Sequence, residues 1–229
     1  MSSNLTSGSK IKNMFKLVLA DLEPQLCIQF EKHFSGLDKV SVHSGRFEDV
    51  KFDCVVSAAN SFGLMDGGVD GAITMMFGEQ LMKRVQAKII KEYAGEQPVG
   101  TSFVIRATEV SQEKNQYVAH TPTMTIPKDI RNTNNVYMAM KAMLIAVKHH
   151  NKVISKICAR RALGIEEYKK RCIETVVCTG LGTFCGKVPF EKAARDMRLA
   201  YDHFMNPPTK LDWDFAVKRN NEIFINKIT

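Results

Sequence analysis

The chain has 229 residues, 45% of them hydrophobic and 24% charged, an ordinary balance for a globular protein and enough chain for one domain with a real core. Its 32 Lys and Arg against 24 Asp and Glu give a formal charge of +8, which favours an anionic partner such as a phosphorylated ligand or nucleic acid. No apolar run approaches the ~18–20 residues of a membrane span, so no membrane partner is read.

The first residues, MSSNLTSGSKIKN, are polar and lack an apolar signal-peptide core; residues 1–13 are expected to form a disordered leader, and the chain is expected in an intracellular compartment, cytoplasmic or nuclear. Phe15–Ala20 (FKLVLA) predicts a strand, and Leu26, Phe30 and Phe34 share one face of a helix over residues 23–34. Val40–Val42 and Phe52–Ala58 are the next strands. A long helical stretch follows from Val69 to Tyr93, with Gly78 placed to break it in two. Gly100–Arg106 and Gln116–His120 read as strands. Val136, Met140, Met143, Leu144 and Val147 then mark the packed face of a helix over residues 134–149.

Residues 153–170 are more charged and read as a surface helix or an insertion, placed at about 150–170. Ile173–Cys178 is a buried strand. Phe190, Ala193, Ala194, Met197, Tyr201 and Phe204 trace a helix over residues 188–204, and Pro207-Pro208 ends the pattern. The tail, residues 207–229, is expected to be a helical extension packed outside through Trp213, Phe215 and Phe224. Strands alternating with helices predict one α/β domain over residues 14–206, with a largely parallel sheet and its loops gathered along one edge.

The six cysteines form no CxxC pair and no ligand spacing with the six histidines, so they read as reduced, buried thiols acting as small hydrophobes; neither a metal nor a cofactor is assigned. The basic residues are dispersed and no nucleic-acid recognition motif accompanies them, so a nucleic-acid partner rests on charge alone. Chemistry concentrates instead in two glycine-bearing loops after strands, Asn60–Asp70 (NSFGLMDGGVD) and Thr179–Val188 (TGLGTFCGKV). Glycine lets successive backbone N–H groups converge on an anion, and a helix start behind the loop adds partial positive charge. Two such loops suggest a cleft for a diphosphate, although either one alone serves equally as a plain strand-to-helix turn. Neither matches GxGxxG or GxxxxGK[ST], so the common nucleotide folds are not indicated.

The stretch VVSAANSFGLMDGGVDGAI resembles the signature of the macro domain, the ADP-ribose-binding module, whose usual form is IVNAANxxLxxGGGVDGAI. The resemblance continues through Tyr117–Pro122 (YVAHTP) and the second loop with its helix (TGLGTFCGKVPFEKAARDM), and spans roughly residues 15–205. It implies a three-layer α/β/α sandwich with a mixed, mostly parallel central sheet. ADP-ribose, or the ADP-ribosyl group of a modified protein, would lie across the strand ends. The implied binding set is Phe47, Ser57, Ala58, Ala59, Asn60, Asp66, Gly67, Gly68, Val69, Thr179, Gly180, Leu181, Gly182, Thr183, Phe184, Cys185 and Gly186. Within it, Asn60 would touch the distal ribose, donating to one hydroxyl and accepting from another. Gly67, Gly68 and Val69 would offer N–H groups, and Gly182–Gly186 would wrap the diphosphate with Phe184 against ribose.

In the de-ADP-ribosylating branch of the family an aspartate at the spacing of Asp70 is implicated, together with the asparagine, in activating water at the anomeric carbon. Asp70 has a second reading, as a residue that complements the start of its helix. Three positions depart from the family pattern. Gly45-Arg46-Phe47 stands where Gly-Asp-Ile is usual, and arginine cannot accept a hydrogen bond from an adenine amine. Glu48 or Asp21 would have to substitute, with Phe47 available to stack. Ser57 replaces the first asparagine and Asp66 the first glycine; Asp66 would select against a phosphorylated distal ribose, assist a reaction, or mark a ligand other than ADP-ribose. Three functions follow: hydrolysis of an ADP-ribosyl linkage, reading of ADP-ribose without turnover, and binding of RNA or poly(ADP-ribose) through a basic surface.

Overall fold

The protein is described here by a computed structural model covering residues 15–107 and 115–224; the expected leader lies outside the described residues. Among the described residues the apolar and β-branched runs form six strands: β1 (Lys16–Asp21), β2 (Val40–Ser44), β3 (Cys54–Ser57), β4 (Phe103–Arg106), β5 (Tyr117–His120) and β6 (Thr175–Cys178). They make one sheet in the order β2-β1-β6-β3-β5-β4. Every neighbouring pair is parallel except β4 and β5, which run antiparallel with Phe103 opposite His120.

Seven helices surround this sheet among the described residues: α1 (Pro24–Phe34), α2 (Gly68–Phe77), α3 (Glu79–Tyr93), α4 (Asn135–Arg160), α5 (Ile165–Arg171), α6 (Phe190–Met205) and α7 (Trp213–Phe224). Alternate strand residues point to opposite faces, and both faces are apolar, as a sheet covered on both sides requires. Leu17, Leu19, Cys54, Val56, Ala119 and Val176 meet Leu26 and Phe30 of α1, Met140 and Met143 of α4, and Ala193 and Met197 of α6. On the other face Ala20, Val55, Val118 and Val177 meet Ile73 of α2 and Leu81, Val85 and Ile89 of α3. The architecture is a three-layer α/β/α sandwich with a mixed, mostly parallel sheet.

Gly78 divides the long helical stretch as its position predicts, with φ 86° and ψ 156°, a backbone state that glycine adopts at little cost. The helix expected over residues 134–149 runs on to Arg160. Its polar middle does not end it, because those side chains bond to the chain entering β6. Asn151 Nδ2 donates to the Ile173 carbonyl (2.7 Å), the Ile173 N–H donates to Asn151 Oδ1 (2.8 Å), and His150 Nε2 meets the Arg171 carbonyl oxygen (3.0 Å). Residues 153–160 therefore continue α4, and α5 follows after a short turn.

The tail forms α7, but Trp213 does not pack as expected. Trp213 is 84% exposed; the helix is held by His203 against Glu222 (3.0 Å) and by Ile223 against the core, while Phe215 lies under the Arg219 guanidinium. Among the described residues no helix is long and apolar enough to cross a membrane.

Candidate functional site

The carboxyl ends of β1, β3 and β6 open into a cleft of about 550 Å³, and both glycine loops line it. Parallel strands direct their following loops to one edge, which is how segments 120 residues apart in sequence come to face each other. From the first loop come Ala58, Ala59, Asn60, Asp66, Gly67, Gly68, Val69 and Asp70. From the second come Thr179, Gly180, Gly182, Thr183, Phe184, Cys185 and Gly186. Two members of the sequence-derived set do not reach the cleft. Leu181 is fully buried in the core, and Ser57, also fully buried, points its hydroxyl at Asp70.

Asn60 is more committed than its type suggests. Its Oδ1 accepts from the backbone N–H groups of Phe62 (3.0 Å) and Leu64 (3.3 Å), and its Nδ2 donates to the Leu64 carbonyl (2.8 Å). The carboxamide thus shapes the loop from within. Both lone pairs of the oxygen are used, which leaves one N–H for a ligand; the donate-and-accept role expected from the sequence reduces to donation. The backbone around it is fixed by the Ala59 N–H to the Thr121 carbonyl (3.1 Å) and a parallel bridge between Asn60 and Met124.

Asp70 sits in the first turn of α2, 7% exposed, and lines the cleft. Burial, opposed by a 2.6 Å hydrogen bond from Ser57 Oγ and reinforced by the nearby Asp66 charge, raises its pKa from 3.8 to about 6. A carboxyl group with that affinity for protons exchanges them near neutral pH, as a general acid or base must. It also sits in the first turn of α2, beside the positive end of that helix.

The second loop is built around close backbone approach. A Cβ on Gly186 would collide with the Gly182 carbonyl oxygen, and Gly182 itself has φ 71°. The Gly182 carbonyl accepts from Val188 N–H (3.1 Å), and the Gly186 carbonyl from Ile130 N–H (2.9 Å). In a trans peptide the C=O and the following N–H point in opposite directions, so the Thr183 N–H is turned away from the loop's interior. Phe184 is 63% exposed at the rim. Among the described residues Thr179 Oγ1, in the cleft wall, is buried with no hydrogen-bond partner. Five of the six cysteines are buried free thiols; Cys185, in this loop, is exposed.

Asp21, Arg46, Phe47 and Glu48 also line the cleft. Phe47 is only 5% exposed, with its ring 6.2 Å from that of Phe52, so it forms wall rather than a free stacking face. Asp21 is spent on the fold: Oδ1 accepts from Glu23 N–H and Oδ2 from Gly180 N–H, each at 3.0 Å, which ties β1 to the second loop. Glu48 lines the cleft with Oε1 held by Arg46 at 3.1 Å. Thr123, Met124 and Pro127, outside the sequence-derived set, close the cleft beside Asn60. Their signal was the YVAHTP run, whose continuation past β5 carries the loop that faces Asn60.

The macro-domain sequence model matches residues 56–197, which contain both loops and the strands between them. The chain belongs to the macro domain family. An uncharacterised protein of Aquifex aeolicus is 30% identical over 158 residues, covering 69% of this chain and 78% of its own. A macro domain-containing protein of Caldanaerobacter subterraneus is 34% identical over 83 residues, 36% of this chain and 45% of that one. Among solved structures, the macrodomain of Mycobacterium tuberculosis DarG is similar with a TM-score of 0.49 at 15% identity, covering 70% of this chain and 88% of that one.

Proposed function

We propose that this macro domain binds ADP-ribose, carried as a group on another molecule, and hydrolyses the bond that attaches it. The observation that supports the reading is the single cleft in which both glycine loops meet, with Asn60, Asp66 and Asp70 all on its lining. The backbone of Gly67–Val69 and Gly182–Gly186 holds the diphosphate, helped by the start of α2. Glu48, which lines the cleft beside Arg46, takes the amine of the base. The spare Asn60 N–H holds a hydroxyl of the distal ribose.

In the reaction, Asp70 accepts a proton from water as the water oxygen bonds to the anomeric carbon. The bond to the leaving group breaks, and the leaving atom takes up the proton that Asp70 received, which restores the carboxylate. The carboxylates of Asp66 and Asp70 also favour the positive charge that develops on the sugar.

Calorimetry with ADP-ribose tests the binding; a dissociation constant weaker than millimolar rejects it. Incubation with mono-ADP-ribosylated protein tests the chemistry. Wild type is expected to remove the label, and Asp70→Ala to slow removal by about 100-fold or more. Tight binding with the label retained for hours by wild type would make the protein a reader without turnover.

A further inference from the structure

Position 57 carries serine where the family signature has asparagine, and the cleft does not account for it. Ser57 ends β3, is fully buried, and lies outside the cleft, yet its hydroxyl reaches 2.6 Å to Oδ1 of Asp70, thirteen residues on and in the next helix. Ser57 is itself fixed by the backbone, since its carbonyl accepts from Thr121 N–H (3.1 Å) and it pairs with His120 of β5. Asp70 rides on α2, whose start is a glycine turn with Gly68 at φ 56°. A rigid donor on the sheet therefore meets a carboxylate on a helix whose entry is the more deformable partner.

We propose that Ser57 is a positioning residue: it holds Oδ1 of Asp70 against the sheet so that Oδ2 is left to face the cleft. The assignment rests on the hydrolytic reading of Asp70, and it adds a role for Ser57 that contact with ligand does not supply. A hydroxyl suits the task because it donates one hydrogen at short range and so selects one oxygen of the carboxylate. The charged group acting on Asp70 among the described residues is Asp66, at the cleft rim. Loss of the Ser57 hydrogen leaves that like charge and burial unopposed.

The test compares wild type with Ser57→Ala, with Ser57→Cys as a near-isosteric weak donor, and with Ser57→Thr as the conservative rescue. In Ser57→Ala and Ser57→Cys the ADP-ribose dissociation constant is expected to stay within about threefold of wild type. Over the same variants kcat is expected to fall about tenfold or more, and the acid limb of the rate profile to move up by roughly half a pH unit or more. Ser57→Thr is expected to recover most of the rate. An unchanged rate and pH profile in both weak-donor variants, or affinity lost in step with rate, overturns the proposal.

A second readout needs no turnover: carbon-detected NMR titration of the Asp70 carboxyl should show its midpoint higher in Ser57→Ala and Ser57→Cys than in wild type. An unmoved midpoint overturns the proposal whatever the activity. Wild type that fails to bind ADP-ribose instead removes the ligand reading, and the titration still decides whether Ser57 holds Asp70.

Discussion

Asp70 is a carboxylate whose protonation is worth free energy to the fold. Its pKa is about 6 in the folded protein against 3.8 in its ordinary state, so between those values the native chain binds more protons than the unfolded one. Its contribution to stability is therefore complete below about pH 3.8 and is lost as the pH rises through about 6. Asp70→Asn keeps the oxygen that accepts from Ser57 and has no proton to lose. We predict that its stability relative to wild type rises with pH across this window, by on the order of 2–3 kcal/mol, in urea denaturation followed from about pH 4 to pH 7. His120 acts in the opposite sense. Buried, with Nδ1 2.6 Å from Gln97 Oε1, its pKa falls from 6.5 to about 3, and its contribution is present above 6.5 and lost as the pH falls toward 3. The two windows overlap, so it is the difference between wild type and variant, not the wild-type curve, that isolates Asp70.

At the scale of elements, glycines separate structure from site. Gly78 joins α2 to α3 at φ 86° and ψ 156° with open space around the place of a Cβ, so the strain of a side chain there is purely one of backbone. Gly78→Ala is predicted to cost about 1–3 kcal/mol in chemical denaturation while leaving ADP-ribose affinity unchanged. Gly186 has no room for a side chain because the Gly182 carbonyl fills it. Gly186→Ala is predicted to displace the loop and weaken ADP-ribose about tenfold or more in calorimetry, because the N–H groups it aligns act together. The Gly78 break was legible in the sequence because it interrupts a helical period. The extension of α4 to Arg160 was not: the polarity of residues 148–152 looks like an ending until Asn151 and His150 are seen to bond the chain leading into β6.

Across the whole molecule the sheet is the shared wall of two apolar layers, and stability should follow which side chains enter them. Met140 is fully buried on the α4 side, so Met140→Ala is predicted to lose about 2–5 kcal/mol by thermal or urea unfolding. Trp213, 84% exposed, should cost less than about 0.5 kcal/mol as Trp213→Ala. As the chain's one tryptophan it should also emit as a solvated indole before unfolding and change little afterwards, which a fluorescence melt checks directly.

Periodicity and glycine placement carried the order of strands and helices, the sandwich class and the two loops, because those follow from local rules of burial and backbone freedom. Tertiary structure decided what depends on neighbours far along the chain. It enclosed both loops in one cleft, committed Asp21 and most of Asn60 to the fold, turned Phe47 into wall, and set Ser57 against Asp70. A side chain's type fixes what it can bond to; only the packed chain fixes which of those bonds are already taken.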